Sequence, residues 1–195
     1  MTTSAPTLDQ LVARLKAIKA SRIAVTAYRS TTPEYAKEDD LITGEGSRLH
    51  GSRWNPPGIA AVYASFTPAT AMEESLAHFR YYGIPFHAAM PRVFVAIKAQ
   101  LAKVLDLTEG ANRKRLQIAE SRLLGCDWRT DMTGGSEALP QLVGRAAKQA
   151  GLEAIVVRSA EDKNGRNLVV FPANLRKSSQ LIVLDPGKLS PGAPK

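Results

Sequence analysis

Apolar residues at Leu8, Leu11, Leu15 and Ile18 recur at close to helical spacing, which predicts an amphipathic helix over Leu8 to Ala20. The pattern then shortens its period. Ile23 to Arg29, reading IAVTAYR, is a β-rich run and predicts a strand; Ile59 to Ser65 predicts a second, Val93 to Ile97 a third and Val104 to Leu107 a fourth. Between the first two, Thr31 to Leu49 is polar and irregular and is expected to be a long loop, a kind of segment that is usually functional or mobile inside a compact domain. Thr67-Pro68 offers an N-cap followed by proline at the first helical position, opening a helix to about Tyr82. Ala111 to Leu124 predicts a basic amphipathic helix with Leu116, Ala119 and Leu123 on one side. Glu137 to Ala150 predicts another, closed by Gly151. Ala154 to Arg158 and Leu168 to Phe171 flank a polar turn at Asp162 to Gly165 and predict a hairpin, and Gln180 to Leu184 is the last strand.

Helices and short strands without strict alternation place the chain in the α+β class. No repeat or internal linker divides it, so residues 1–185 read as one domain, and the Pro/Gly-rich tail 186–195 is expected to be disordered. With 195 residues, 44% of them hydrophobic, the chain is long enough for a sizeable core. It has no apolar run near the roughly 20 residues that span a bilayer, and its N-terminus lacks the apolar segment of a signal peptide. Its single cysteine, Cys126, cannot form an internal disulfide and is expected to be a small buried residue; a cytoplasmic location follows as the expectation. The net charge of +8 calls for a partner of negative sign: nucleic acid, an acidic protein or a phosphorylated small molecule. Lys and Arg are scattered, however, and the aromatics, 6% of the chain, do not alternate with basic residues, so direct nucleic-acid binding is not the favoured reading.

The chemistry concentrates in residues 44–65, GEGSRLHGSRWNPPGIAAVYAS. Glycines allow close backbone approach to a ligand, and arginines grip phosphate or carboxylate with a planar fork. Gly44, Gly46 and Gly51 miss the dinucleotide spacing G-x-G-x-x-G, and the chain has no P-loop. His50, His78 and His87 have no metal-ligand spacing, so no metal is expected. Any enzyme here must work mainly through Arg, Glu, Tyr, Ser and Asn.

Ordered along the chain stand Tyr28-Arg29, then Gly51-Ser52-Arg53-Trp54-Asn55-Pro56-Pro57-Gly58, Val62-Tyr63-Ala64, an Ala-x-x-Glu step from Ala71 to Glu74, Arg158-Ser159-Ala160, and Gly165-Arg166-Asn167-Leu168. Over about residues 27–172 this pattern resembles the RES domain, a family of bacterial toxins paired with antitoxins that carry an Xre-like DNA-binding region. The resemblance implies a fold similar to ADP-ribosyltransferase toxins and action on NAD+, as substrate. It implies an active-site set of Arg29, Arg53, Tyr63, Glu74 and Ser159, with Asn167 close by. The family loop usually has Gly-Gly before Arg-Trp; here Ser52 replaces the second glycine, which would strain a backbone needing positive φ.

Each residue also has a plainer reading. Arg29 and Arg53 could be salt-bridge arginines, Trp54 is expected in the core, Tyr63 could be core with a satisfied hydroxyl, and Ser159 could merely cap a turn. If Met72, Leu76 and Phe79 form the buried stripe of their helix, Glu74 projects about 200° from Met72 and reads as solvated, with Glu73 competing for the role. Under the resemblance, Arg29 and Arg53 hold phosphates, Tyr63 packs the nicotinamide, Ser159 bonds the nicotinamide riboside end, and Glu74 stabilises the ribosyl cation as the bond to nicotinamide breaks. The expected function is an NAD+-degrading toxin, glycohydrolase or phosphorylase, neutralised by an antitoxin. The alternatives are an ADP-ribosyltransferase acting on a protein and, third, a basic nucleic-acid-binding protein.

Overall fold

A long two-stranded ribbon organises the chain: β1 (Ser21–Thr31) runs antiparallel to β3 (Val93–Asp106), with Tyr28 opposite Ala96 and Ser30 opposite Phe94. The computed structural model describes residues 6–185; the tail expected to be disordered, 186–195, lies outside the described residues. In β3, Val95, Ile97, Ala99 and Leu101 are buried while the residues between them are more exposed, the alternation a strand needs when one face is covered. The two apolar runs expected as separate strands are therefore one strand, because Lys98 and Gln100 interrupt the apolar pattern without leaving the ladder.

β2 (Val62–Ser65), β5 (Arg166–Val170) and β4 (Ala154–Arg158) pair antiparallel in that order. β4 then joins β3 in parallel at Val104–Asp106, and β2 meets β1 at Ser65 opposite Tyr28, so these pairings close β1, β2, β5, β4 and β3 into a ring. β6 (Gln180–Val183) pairs with β3 at Ile97–Gln100, on the edge opposite β1. Small residues fill one core of the sheet: Ala27, Ala64, Ala99 and Ala154 pack with Val62, Val156 and Leu168. A second, larger core lies under α1 (Leu8–Ala17) and α8 (Leu139–Gln149), where Leu11, Leu15, Val143 and Ala147 meet Ile155, Val169 and Phe171.

One buried charge stitches this frame. The β1–β3 register slips between Ser21–Val104 and Ile23–Leu101, a bulge that leaves the amides of Ala102 and Lys103 off the ladder. Glu153, fully buried, accepts both of them on Oε2 at 2.5 and 3.1 Å, and its Oε1 accepts from the Arg176 amide and the Ser179 hydroxyl at 2.9 and 2.8 Å. Burial alone would raise its pKa, but these donors outweigh it and hold the carboxyl below the ordinary 4.5. A depressed folded-state pKa contributes stability that is present above the unfolded pKa and lost as pH falls through the folded one. Acid melts are expected to show that loss in the wild type, and Glu153→Gln should be less stable at pH 7 by about 1–2 kcal/mol with a flatter acid limb. Equal stability and the same acid limb in both proteins would sink this assignment.

The helices depart from the sequence expectations where short-range pattern is weak. The segment expected as a loop holds α2 (Glu38–Ile42) and α3 (Glu45–His50), separated by Gly44 at φ 71°; each is too short to display a period, and Leu41 is buried. α4 (Pro68–Tyr81) starts as predicted, Thr67 Oγ1 accepting from the Thr70 amide. The single basic helix expected after β3 is two, α5 (Gly110–Leu116) and α6 (Glu120–Leu124), because Gln117 turns left-handed at φ 60° and lets both Leu116 and Leu123 reach the core. α7 (Trp128–Thr133) falls where the sequence pattern predicts no element, its start capped by Asp127. Cys126 is half-buried rather than buried, since it sits in the turn between α6 and α7 with its thiol donating to Asp131. Among the described residues no helix is long and apolar enough to cross a membrane.

Candidate active site

The arginine-bearing loop is held in place before any ligand is considered. Ser52 and Asn55 exchange backbone hydrogen bonds across residues 52–55. The left-handed conformation falls on Gly51, φ 68°, where a β-carbon would stand 2.9 Å from Pro57, whereas Ser52 is not among the positive-φ residues. Serine therefore replaces the second glycine without backbone strain. Asn55, fully buried, donates to the Ser47 and Ile59 carbonyls at 2.8 Å each and accepts the Tyr63 hydroxyl at 2.6 Å. That hydroxyl also accepts from the Trp54 amide at 3.0 Å, and burial pushes its pKa well above the ordinary 10, so it stays a donor. α8 holds the loop from below. Gln141 donates to the Ser52 carbonyl, and Gly144 lets the Trp54 carbonyl press directly against the helix. Trp54 is buried in the larger core, as expected.

Each of the two candidate arginines is tethered by one arm. Arg29, at the end of β1, donates Nη1 to the Leu41 carbonyl at 2.6 Å. Burial lowers its pKa to about 10, with Asp40 opposing, which leaves it charged at neutral pH. Arg53 donates Nη1 to the carbonyls of Leu123, Leu124 and Cys126 at 3.2–3.3 Å, at and just past the C-terminal end of α6. Burial lowers its pKa too, Glu74 and Glu161 oppose that, and Arg129 adds to it. The other N–H groups of both guanidiniums make no hydrogen bond within the described chain, and both residues line one cleft.

Glu74 is half-buried and turned into the cleft, not set on the outer face of its helix. The covered side of α4 is formed by Thr70, Ala71, Leu76 and Ala77 rather than by Met72 and Phe79, and Glu74 follows Ala71 by one helical turn. Because Thr70, Ala71 and Ala77 are small, a periodicity based on large side chains does not reveal this orientation. Glu74 Oε1 accepts from Ser159 Oγ at 2.5 Å and Asn167 Nδ2 at 2.6 Å; Oε2 has no partner among the described residues. Glu73 turns away and pairs with Arg80 at 2.8 Å. The donors are themselves fixed: Ser65 Oγ donates to Asn167 Oδ1 at 2.7 Å, across the β2–β5 register, and Ser159 Oγ accepts from the amides of Glu161 and Asp162. Ser159 thus both caps its turn and holds Glu74, sitting buried behind the carboxylate rather than on the cleft wall.

The cleft, counted together with the open space at its mouth, is about 880 Å³. Arg29, Arg53, Tyr63, Glu74 and Asn167 line it together. So do residues that no sequence pattern singled out as site residues: Ser65, Trp128, Arg129, Arg158 and Glu161. Ser65 is found only through its strand partner, and Trp128 and Arg129 only through the small helix the pattern missed. With Arg29, Arg53, Arg129 and Arg158 facing Glu74 and Glu161, and Glu161 itself tied to Arg80 at 2.9 Å, the lining is net positive and suits an anionic ligand.

The model of the RES domain matches residues 26–189 of this sequence. The chain belongs to the RES domain family. The fold of this RES domain is that of a chain in the crystal structure of the M. tuberculosis MbcT–MbcA toxin–antitoxin complex, with a TM-score of 0.67 over 93% of this chain and 95% of that one, at 24% identity. Over 68 residues, 35% of this chain, it is 32% identical to the Prs ADP-ribosylating toxin of Sphingobium sp. (strain YBL2). That match spans 42% of the relative's length. The family match and the cleft coincide: every cleft-lining residue named above falls within the matched span.

Proposed function

We propose that this RES-domain protein is a toxin that cleaves the nicotinamide–ribose bond of NAD+, passing ADP-ribose to water or phosphate, and that a cognate antitoxin of Xre-like type neutralises it. The observation that carries this reading is Glu74, a carboxylate with one oxygen locked by Ser159 and Asn167 and the other unpaired, in a cleft otherwise rich in arginine. The anionic pyrophosphate is drawn to Arg29 and Arg53, whose tethered arms leave N–H groups for it. Tyr63, its hydroxyl fixed, offers its ring to the nicotinamide. The bond from ribose C1′ to the ring nitrogen breaks, its electron pair leaves with neutral nicotinamide, and the sugar becomes oxocarbenium-like. A single fixed carboxylate beside the ribose stabilises that charge where it develops. Water or phosphate then bonds to C1′ and gives up a proton. No strong general acid is needed, which fits a site built without histidine.

ADP-ribosyl transfer to a protein is the second reading, favoured by the name of the Sphingobium relative. The likeness to a chain of a toxin–antitoxin complex supports the antitoxin partner. Product analysis separates the reactions: the protein is mixed with NAD+ labelled in its ADP-ribose moiety, alone, with phosphate and with cell lysate. Free ADP-ribose identifies water as acceptor, its 1″-phosphate identifies phosphate, and labelled protein identifies transfer. Intact NAD+ under all three conditions overturns the proposal.

A further inference from the structure

Arg129 is the cleft-lining arginine whose position is most fully accounted for and whose purpose is least. Its guanidinium lies 4.4 Å from the centroid of the Trp128 ring and 4.8 Å from that of Tyr81. Tyr81 is itself fixed, its hydroxyl donating to the Asp127 carboxylate at 3.1 Å. Two aromatic contacts hold a long, flexible side chain in one place and remove much of the ordering entropy that binding would otherwise require. Stacking leaves the edge of the guanidinium plane available, and that edge carries the N–H donors. None of them donates to the described chain, and no described carboxylate pairs with the group.

Its location is also particular. Arg129 and Arg53 both belong to the wall that the main cleft shares with an outer groove lined by Arg80, Tyr81, Cys126 and Asp127. The two guanidiniums are near enough for Arg129 to help lower the pKa of Arg53. Glu161, the carboxylate on the same wall, is occupied by Arg80. Two like charges held side by side in a cleft are unfavourable until an anion lies between them.

We propose that Arg129 is a substrate-binding residue, its guanidinium set by Trp128 and Tyr81 to take, together with Arg53, the pyrophosphate of the dinucleotide where the cleft meets the outer groove. This rests on the reading of the cleft as an NAD+ site. Arg129 acts on binding and not on the ribose, so its loss should raise KM and leave kcat nearly unchanged.

Calorimetry with ADP-ribose, which keeps the pyrophosphate and lacks the scissile bond, tests the assignment alongside NAD+ kinetics. Arg129→Gln should weaken ADP-ribose binding about tenfold or more and raise KM for NAD+ to match, as expected for losing a charge-assisted contact. Tyr81→Leu, which keeps the arginine but removes one of its two aromatic contacts, should weaken binding less. Unchanged ADP-ribose affinity in both variants overturns the proposal. If the wild type binds ADP-ribose in an Arg129-dependent way yet leaves NAD+ intact, the cleavage reading fails and this assignment stands. If it cleaves NAD+ and Arg129→Gln binds ADP-ribose as tightly as wild type, this assignment alone fails.

Discussion

Glu74→Gln is expected to reduce nicotinamide release from NAD+ by about 100-fold or more, equivalent to about 2.7 kcal/mol of transition-state stabilisation. The substitution is chemically narrow. A glutamine can present its Oε1 to Ser159 and Asn167 as the glutamate does at 2.5 and 2.6 Å, so the hydrogen-bonded frame is kept while the charge is removed. Substrate binding rests on the arginines, so KM should change little while kcat falls, the signature of an interaction made mainly in the transition state. Expression of the variant should also relieve growth arrest caused by the wild type. Chromatographic measurement of nicotinamide decides the matter; turnover at the wild-type rate would remove Glu74 from the mechanism.

Gly144→Ala should destabilise the fold by about 3 kcal/mol or more, although glycine to alanine in a helix interior ordinarily stabilises by about 1 kcal/mol. The sign inverts because a β-carbon at Gly144 would stand 1.7 Å from the Trp54 carbonyl oxygen, and backbone cannot rotate away as a side chain can. Either α8 or the loop carrying Arg53 and Trp54 must move. For a chain of this size the melting temperature should fall by about 6–12 °C. Gly46→Ala is the matched control, since nothing lies within 4 Å of a β-carbon there, and it should melt at or slightly above wild type. A Gly144→Ala protein as stable as the control would show that the loop does not rest on α8 in this way.

These two residues mark the limits of sequence reasoning from opposite sides. Gly144 is one more residue of a helix whose pattern was plain, and nothing local marks it as the point where another backbone crosses. Family spacing selects Glu74 against a periodicity that points it outward, because the covered side of α4 carries the small residues Thr70, Ala71 and Ala77 beside Leu76, and not Met72 and Phe79. Arg53 and Tyr63 were legible as candidates from their types and order, but their tethers were not. The Arg53 tether comes from carbonyls some 70 residues away and the Tyr63 hydroxyl is held by Asn55.

Chain order, residue type and period by themselves determined the α+β class, β1, β2 and the start of α4, the β4–β5 hairpin, and a positively charged chain with its motif around Arg53. These follow from interactions between near neighbours, where propensity and spacing act directly. Only the tertiary structure decided that the Val93–Asp106 run is one strand, that Glu74 and not Glu73 lines the cleft, that Ser159 and Ser65 serve as its supports, and that Arg129 joins the wall. Each depends on partners distant in sequence, and burial and hydrogen bonding across such distances leave no local period to read.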